Sequence, residues 1–146
     1  MQIRSAETAG FCFGVERAVS LAEQTAKSCA SAVTLGPIIH NRHVVERFEA
    51  MGLREIARAE DAQPGQTVVI RAHGIPVSEQ QTLAARGAKL VDATCPFVKK
   101  IHVIARQAEE AGRHLLIIGT PTHPEVTAIA SYSSDAHVFQ TAEALE

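Results

Sequence analysis

Tryptophan is absent from this chain of 146 residues, and its other aromatics are one tyrosine and five phenylalanines. A core must therefore come from aliphatic side chains and alanine, and nucleobases would find few surfaces to stack on. Excess positive charge is missing as well. Fourteen Lys and Arg against sixteen Asp and Glu leave a net charge of −2, with an isoelectric point near 6.4. Nothing in that balance draws nucleic acid or an anionic membrane. No apolar run approaches the roughly 20 residues of a membrane span, and Met1-Gln2-Ile3-Arg4-Ser5 does not open a charged-then-apolar signal sequence. The resulting expectation is a cytoplasmic protein. Cysteine is scarce and odd in number: Cys12, Cys29 and Cys95 are widely spaced, with no C-x-x-C pair. That excludes a disulfide framework.

What is present is 46% hydrophobic and 21% charged residues, ordinary for a packed α/β chain, and seven histidines, which is many for this length. Short apolar runs alternate with helical patterns. The runs predict strands over residues 3–7, 32–35, 67–71, 89–92, 115–118 and 137–139. Apolar positions three and four apart predict helices over 15–28, 42–51, 78–86, 97–111 and 125–131. Ser78 with Gln81 three residues on has the form of a capping box. Thr67-Val68-Val69-Ile70 and Leu115-Leu116-Ile117-Ile118 are continuously apolar, as strands covered on both faces of a parallel sheet should be. The fold class expected is α/β with small parallel-sheet units, one over 1–96 and a second, with few elements, over 97–146. The chain closes on what reads as a helix start at 142–146, so the second unit is expected to be incomplete.

In open parallel sheets, ligands bind beyond the carboxyl ends of the strands. Each of five predicted strand ends is followed by a polar group that can do chemistry: Cys12, His40, His73, Cys95, and His123 with Glu125. Singly, each has a plain explanation, since a lone cysteine is usually a small buried apolar residue and a lone loop histidine usually faces water. Five in a row predict that the topology gathers them on one side of the sheet. His43, His102, His114 and His137 lie within predicted elements or at their starts and read as ordinary. Cys29 follows Cys12 by a helix of about 14 residues, roughly 20 Å at 1.5 Å per residue, too far to share a site.

Two thiolates and several imidazoles suit zinc, although no compact ligand knuckle is present. Cysteines dispersed through a fold also suit an iron–sulfur cluster. Histidines beside helix N-termini suit phosphate, because free amides and the helix dipole already favour an anion there. A carboxylic acid among them, such as Glu125, suits proton delivery. A zinc-dependent hydrolase, a non-catalytic phosphate-binding module and an iron–sulfur enzyme all remain open on these grounds.

Gly10-Phe11-Cys12-Phe13-Gly14-Val15-Glu16-Arg17-Ala18 resembles the N-terminal signature of the LytB-type 4-hydroxy-3-methylbut-2-enyl diphosphate reductases. His40-Asn41-Arg42-His43-Val44-Val45, Ala72-His73-Gly74, Asp92-Ala93-Thr94-Cys95-Pro96 and His123-Pro124-Glu125-Val126 resemble that family's next four motifs, in order. The resemblance implies an iron–sulfur oxidoreductase of isoprenoid precursor synthesis. Such an enzyme reductively removes the hydroxyl of an allylic diphosphate to give isopentenyl and dimethylallyl diphosphate. It implies a [4Fe-4S] cluster on three cysteines, with Cys12 and Cys95 as two of them. It implies diphosphate binding by His40, His73 and His123, proton delivery by Glu125, and electrons from a ferredoxin or flavodoxin. The family's third cysteine lies in a third α/β domain beyond these residues, so the resemblance also implies that residues 1–146 alone are inactive.

Overall fold

The computed structural model describes residues 2–4 and 6–145. In chain order the elements are α1 (Phe13–Ser28), β1 (Val33–Leu35), α2 (Arg42–Ala50), β2 (Arg54–Ile56), a 3-10 turn (Ala59–Asp61), β3 (Thr67–Ile70), α3 (Val77–Ala85), β4 (Lys89–Asp92), α4 (Pro96–Glu110), β5 (Leu115–Ile118), α5 (Pro124–Ala130), β6 (Ala136–Phe139) and a 3-10 turn (Ala142–Leu145). Two parallel sheets result, of order β2-β1-β3-β4 and β5-β6.

The first sheet is covered on both faces, and β3 shows how. Val69 joins Ala18, Ala22, Val44 and Phe48 in the core beneath α1 and α2. Its neighbours Val68 and Ile70 point the other way, into a core with Leu35, Ile75 and Leu83 beneath α3. The continuous apolar run thus follows from having two hydrophobic faces to fill. α1 contributes a stripe of Gly14, Ala18, Val19, Ala22 and Thr25, spaced by helical turns and small enough to bring the helix close to the sheet.

Four expectations are corrected. No strand forms over residues 3–7: among the described ones, Ile3 is 83% exposed and no ladder includes it, while Ser5 lies outside the described residues. Cys12 therefore follows no strand. A short run is not a strand until a neighbour pairs with it. β2 was not predicted, because Arg-Glu-Ile carries no apolar run; it forms as an edge strand on β1, with Val33 opposite Arg54, and its two charged side chains face water. Ser78 does not cap α3. The N-cap is Pro76, Ser78 is the second helical residue, and the Val77 amide instead donates to Ser131 Oγ at 3.0 Å. Finally, β5 is not covered on both faces. α4 and α5 pack against the β5–β6 sheet, but it has only two strands, and Leu116 and Ile118 stay 57% and 69% exposed.

Candidate functional site

Backbone pairing continues past the ends of the first sheet's strands. The Ala72 amide donates to the Ile38 carbonyl at 3.1 Å, and the Cys95 amide donates to the Ala72 carbonyl at 2.9 Å. The segments after β1, β3 and β4 therefore run side by side, in register, before turning into helices. His40, His73 and Cys95 leave the sheet from this shared edge.

The turn after β3 closes on itself: the Gly74 amide donates to the Arg71 carbonyl at 3.0 Å, and Arg71 Nε donates to the Gly74 carbonyl at 3.1 Å. Gly74 sits at φ +77°, and a Cβ there would lie 2.7 Å from His102 Cε1, so only glycine fits. After β4, Asp92 shapes the loop. Its carboxylate accepts from the Thr94 amide at 2.9 Å and pairs with Lys99 Nζ at 2.6 Å. Burial pushes the Asp92 carboxyl up, but the hydrogen bonds from Lys99 and Thr94 outweigh burial and hold it below its ordinary value. Arg17, reaching across from α1, donates to the Thr94 carbonyl at 3.2 Å and the Asp92 carbonyl at 3.4 Å. It ties α1 to the loop that carries Cys95, a role with no prior signal beyond its place in the first motif.

Three imidazoles meet. The ring centroids of His40 and His73 are 4.5 Å apart, those of His73 and His123 5.5 Å, and those of His40 and His123 5.8 Å. One nitrogen from each lies within 4.8 Å of the others. His73 is half-buried, and its Nδ1 has no hydrogen-bond partner among the described residues. Burial lowers its pKa to about 4, helped by the neighbouring His40 and His123 and then by Arg71. His73 is thus neutral at pH 7, in a place where an arriving anion would favour its charged form. His123 is the N-cap of α5, and its Nδ1 accepts from the Glu125 amide at 3.2 Å. Glu125, two residues on, is partly buried in the first turn of the same helix.

The two thiols occupy matching positions. Cys12 is the N-cap of α1 and Cys95 the N-cap of α4, and neither side chain bonds its own helix amides. Both are free thiols. The Cys95 side chain packs against the first turn of α1 so closely that a Cβ on Gly14 would lie 2.4 Å from Cys95 Sγ and 3.1 Å from Cys95 Cβ. Phe11, Phe13 and Phe97, within two residues of these thiols along the chain, are exposed. Cys29 caps the other end of α1, near Thr67. With the 16 residues of α1 between them, the two caps lie about 25 Å apart.

Of the remaining histidines, His43 is exposed, and His102 is buried and stacked on Tyr132 at 4.6 Å. A cavity of about 200 Å³ lies between His102, Tyr132, Gly74 and Thr94, beside the site; none of the six predicted site residues lines it. His114 and His137 converge on Asp135, a group that no sequence spacing announced.

Comparison with known proteins places these features in a family. The LytB protein family model matches residues 3–146. The 4-hydroxy-3-methylbut-2-enyl diphosphate reductase of Solidesulfovibrio magneticus is 44% identical over 153 aligned positions, covering all of this chain and 54% of that protein. The reductase of the same name from Aquifex aeolicus is 44% identical over 128, covering 87% of this chain and 44% of the relative. A solved structure of (E)-4-hydroxy-3-methyl-but-2-enyl diphosphate reductase, described as the terminal enzyme of the non-mevalonate pathway, superposes with a TM-score of 0.82 at 41% identity, covering 96% of this chain and 51% of that one. The Plasmodium falciparum E-1-hydroxy-2-methyl-but-2-enyl-4-diphosphate reductase gives 0.87 at 27% identity. The chain spans about half the length of the curated relatives it matches.

Proposed function

This chain belongs to the LytB protein family, and from that membership we propose that residues 1–146 carry the diphosphate-binding and proton-delivering half of a 4-hydroxy-3-methylbut-2-enyl diphosphate reductase. The observation that carries the reading is the convergence of three imidazoles, two of them on loops held in register with the Cys95 loop. Cys95 and His123 are themselves the N-caps of α4 and α5, and at helix N-termini free amides and the dipole favour anions.

The donor set also fits the family's iron–sulfur cluster. Two free thiols, neither used in capping its own helix, stand at two helix N-termini, and Cys95 packs against the first turn of the helix that Cys12 caps. Cys12 and Cys95 would hold the cluster, and the third thiolate would come from outside residues 1–146. When bound, a [4Fe-4S] cluster supplies electrons one at a time from an external donor such as a ferredoxin or flavodoxin. The chain's own residues do the rest. His40, His73 and His123 orient the diphosphate, and the bound anion repays the desolvation that keeps His73 neutral in the free site. Glu125, placed by the His123 cap, gives a proton to the departing hydroxyl, which leaves as water. The balance is an allylic alcohol plus two electrons and two protons, giving the alkene and water. Isopentenyl and dimethylallyl diphosphate differ only in which carbon takes the second proton.

The same three imidazoles support a second reading, a zinc site of three histidines with an open position. Metal and anion measurements on this chain separate the two. Under the reductase reading, inorganic pyrophosphate binds the zinc-free chain, and His73→Ala weakens it at least tenfold. Anaerobic iron and sulfide give an oxidant-labile chromophore that is lost in Cys12→Ser and Cys95→Ser, without a stable four-iron centre or turnover. Pyrophosphate binding that requires zinc, with no thiol-dependent chromophore, would replace the reductase reading with the zinc one.

A further inference from the structure

We propose that His114, Asp135 and His137 form a divalent-cation site of the zinc class on the open face of the β5–β6 sheet, separate from the three-imidazole group. The placement follows from strand register. Leu115 pairs with Ala136 and Leu116 with His137. His114 and Asp135, one residue before each strand, therefore stand opposite one another across the ladder. His137, two residues after Asp135, returns to the same face. The Leu115 amide donates to the Asp135 carbonyl at 3.1 Å, which locks this register at the point where the three side chains meet.

The donors are already collected. The Asp135 carboxylate contacts His114 Nδ1 through one oxygen and His137 Nε2, at 2.7 Å, through the other. The three ligand atoms lie within 4.8 Å of one another. Ligand atoms bound to one zinc ion at about 2.0–2.2 Å sit roughly 3–3.5 Å apart, so the group has to open slightly rather than rearrange. A cation would replace the two shared protons. Each imidazole would then carry its single N–H on its other ring nitrogen, which is feasible because both side chains are largely exposed. Two neutral imidazoles and one carboxylate leave coordination positions for water and suit zinc better than calcium or magnesium, which prefer oxygen donors.

The surroundings hold the group in place. Glu109, near the end of α4, accepts from Ser133 Oγ at 3.0 Å, the Ser134 amide at 2.9 Å and Ser134 Oγ at 2.6 Å. The turn leading into β6 is clamped by these bonds, and the Asp135 amide donates to Ser133 Oγ at 3.3 Å. Such support around the ligands is what separates a preorganised site from a chance meeting of surface charges.

The test is calorimetric titration of zinc into the untagged chain, with its three thiols alkylated so that they take no metal. His114→Ala and His137→Ala are each expected to weaken one binding event at least thirtyfold, and Asp135→Asn about tenfold. His73→Ala is expected to leave that event unchanged, since it acts only on the other imidazole group. Imidazole resonances of His114 and His137 are expected to shift together as zinc is added. These substitutions fall on exposed side chains, and thermal melts verify that the variants remain folded. Zinc binding that is the same in wild type, His114→Ala and His137→Ala, or no shift of those two resonances, would overturn the proposal.

Discussion

Gly14→Ala sets two known effects against each other. Within a helix, alanine is favoured over glycine by about 1 kcal/mol, so on propensity alone the variant should be more stable. The new methyl, however, would lie 2.4 Å from Cys95 Sγ and 3.1 Å from Cys95 Cβ. A sulfur atom cannot be compressed to that distance. The thiol must rotate out of its niche, or α1 and α4 must separate, and overpacking of this kind costs about 1–3 kcal/mol. The net expectation is a loss of about 0–2 kcal/mol, a fall in Tm of at most about 8 °C for a chain of this size. The sharper expectation concerns Cys95, which is only partly exposed. Its displaced thiol should be alkylated several-fold faster in Gly14→Ala, while Cys29, at the far end of α1, keeps its wild-type rate. Time-resolved iodoacetamide labelling with peptide mass spectrometry measures both, and a thermal melt gives the stability. A rise in Tm of about 4 °C, the propensity gain alone, with unchanged Cys95 labelling would show that the thiol does not fill the space above Gly14. The packing of Cys95 against the helix that Cys12 caps would then lose its basis.

Three further outcomes are expected. His73 has a pKa near 4 when folded and about 6.5 when unfolded, so between those values only the unfolded chain takes up a proton. Its contribution is fully present above pH 6.5 and is lost as pH falls towards 4. The half-buried ring should account for about 1–2 kcal/mol after solvent screening, seen in urea titrations as a pH slope that flattens in His73→Gln; an unchanged slope would contradict it. In a reductase that includes these residues, Glu125→Gln should bind substrate nearly normally but turn over about 10²–10⁴-fold more slowly, and normal turnover would remove Glu125 from proton delivery. Leu116 and Ile118 lie exposed beside each other on one sheet face, so the chain should self-associate with rising concentration. Leu116→Lys with Ile118→Lys should reduce that in sedimentation velocity runs, and a wild-type chain that stays monomeric throughout would refute it.

Periodicity and composition made much of the scaffold legible. Helices α1 to α5 and all strands but β2 lie where apolar spacing or apolar runs predict them, because burial of one helical stripe or of both strand faces leaves a local imprint. Helix starts were less legible. α1, α4 and α5 begin one or two residues earlier than spacing predicts, at Phe13, Pro96 and Pro124, which makes Cys12, Cys95 and His123 the N-caps. Those caps interact through free amides and neighbouring helices, and neither leaves a hydrophobic period.

What the sequence by itself determined is which chemical groups follow which element: a cysteine or histidine after the apolar runs of β1, β3, β4 and β5, and glycine where the turn at Gly74 needs a positive φ. What only the tertiary structure decided is which groups meet. Parallel pairing carried past the strand ends sets His40, His73 and Cys95 side by side, and the β5–β6 register brings together His114, Asp135 and His137, which sequence reading left as unrelated residues. A strand without a partner also fails to form, as Ile3, Arg4, Ala6 and Glu7 show, while Arg54–Ile56 becomes a strand because β1 offers an open edge. The physical reason is common to all of these. Hydrogen-bond registers and close packing act between segments distant along the chain, whereas propensity and patterning act only within one.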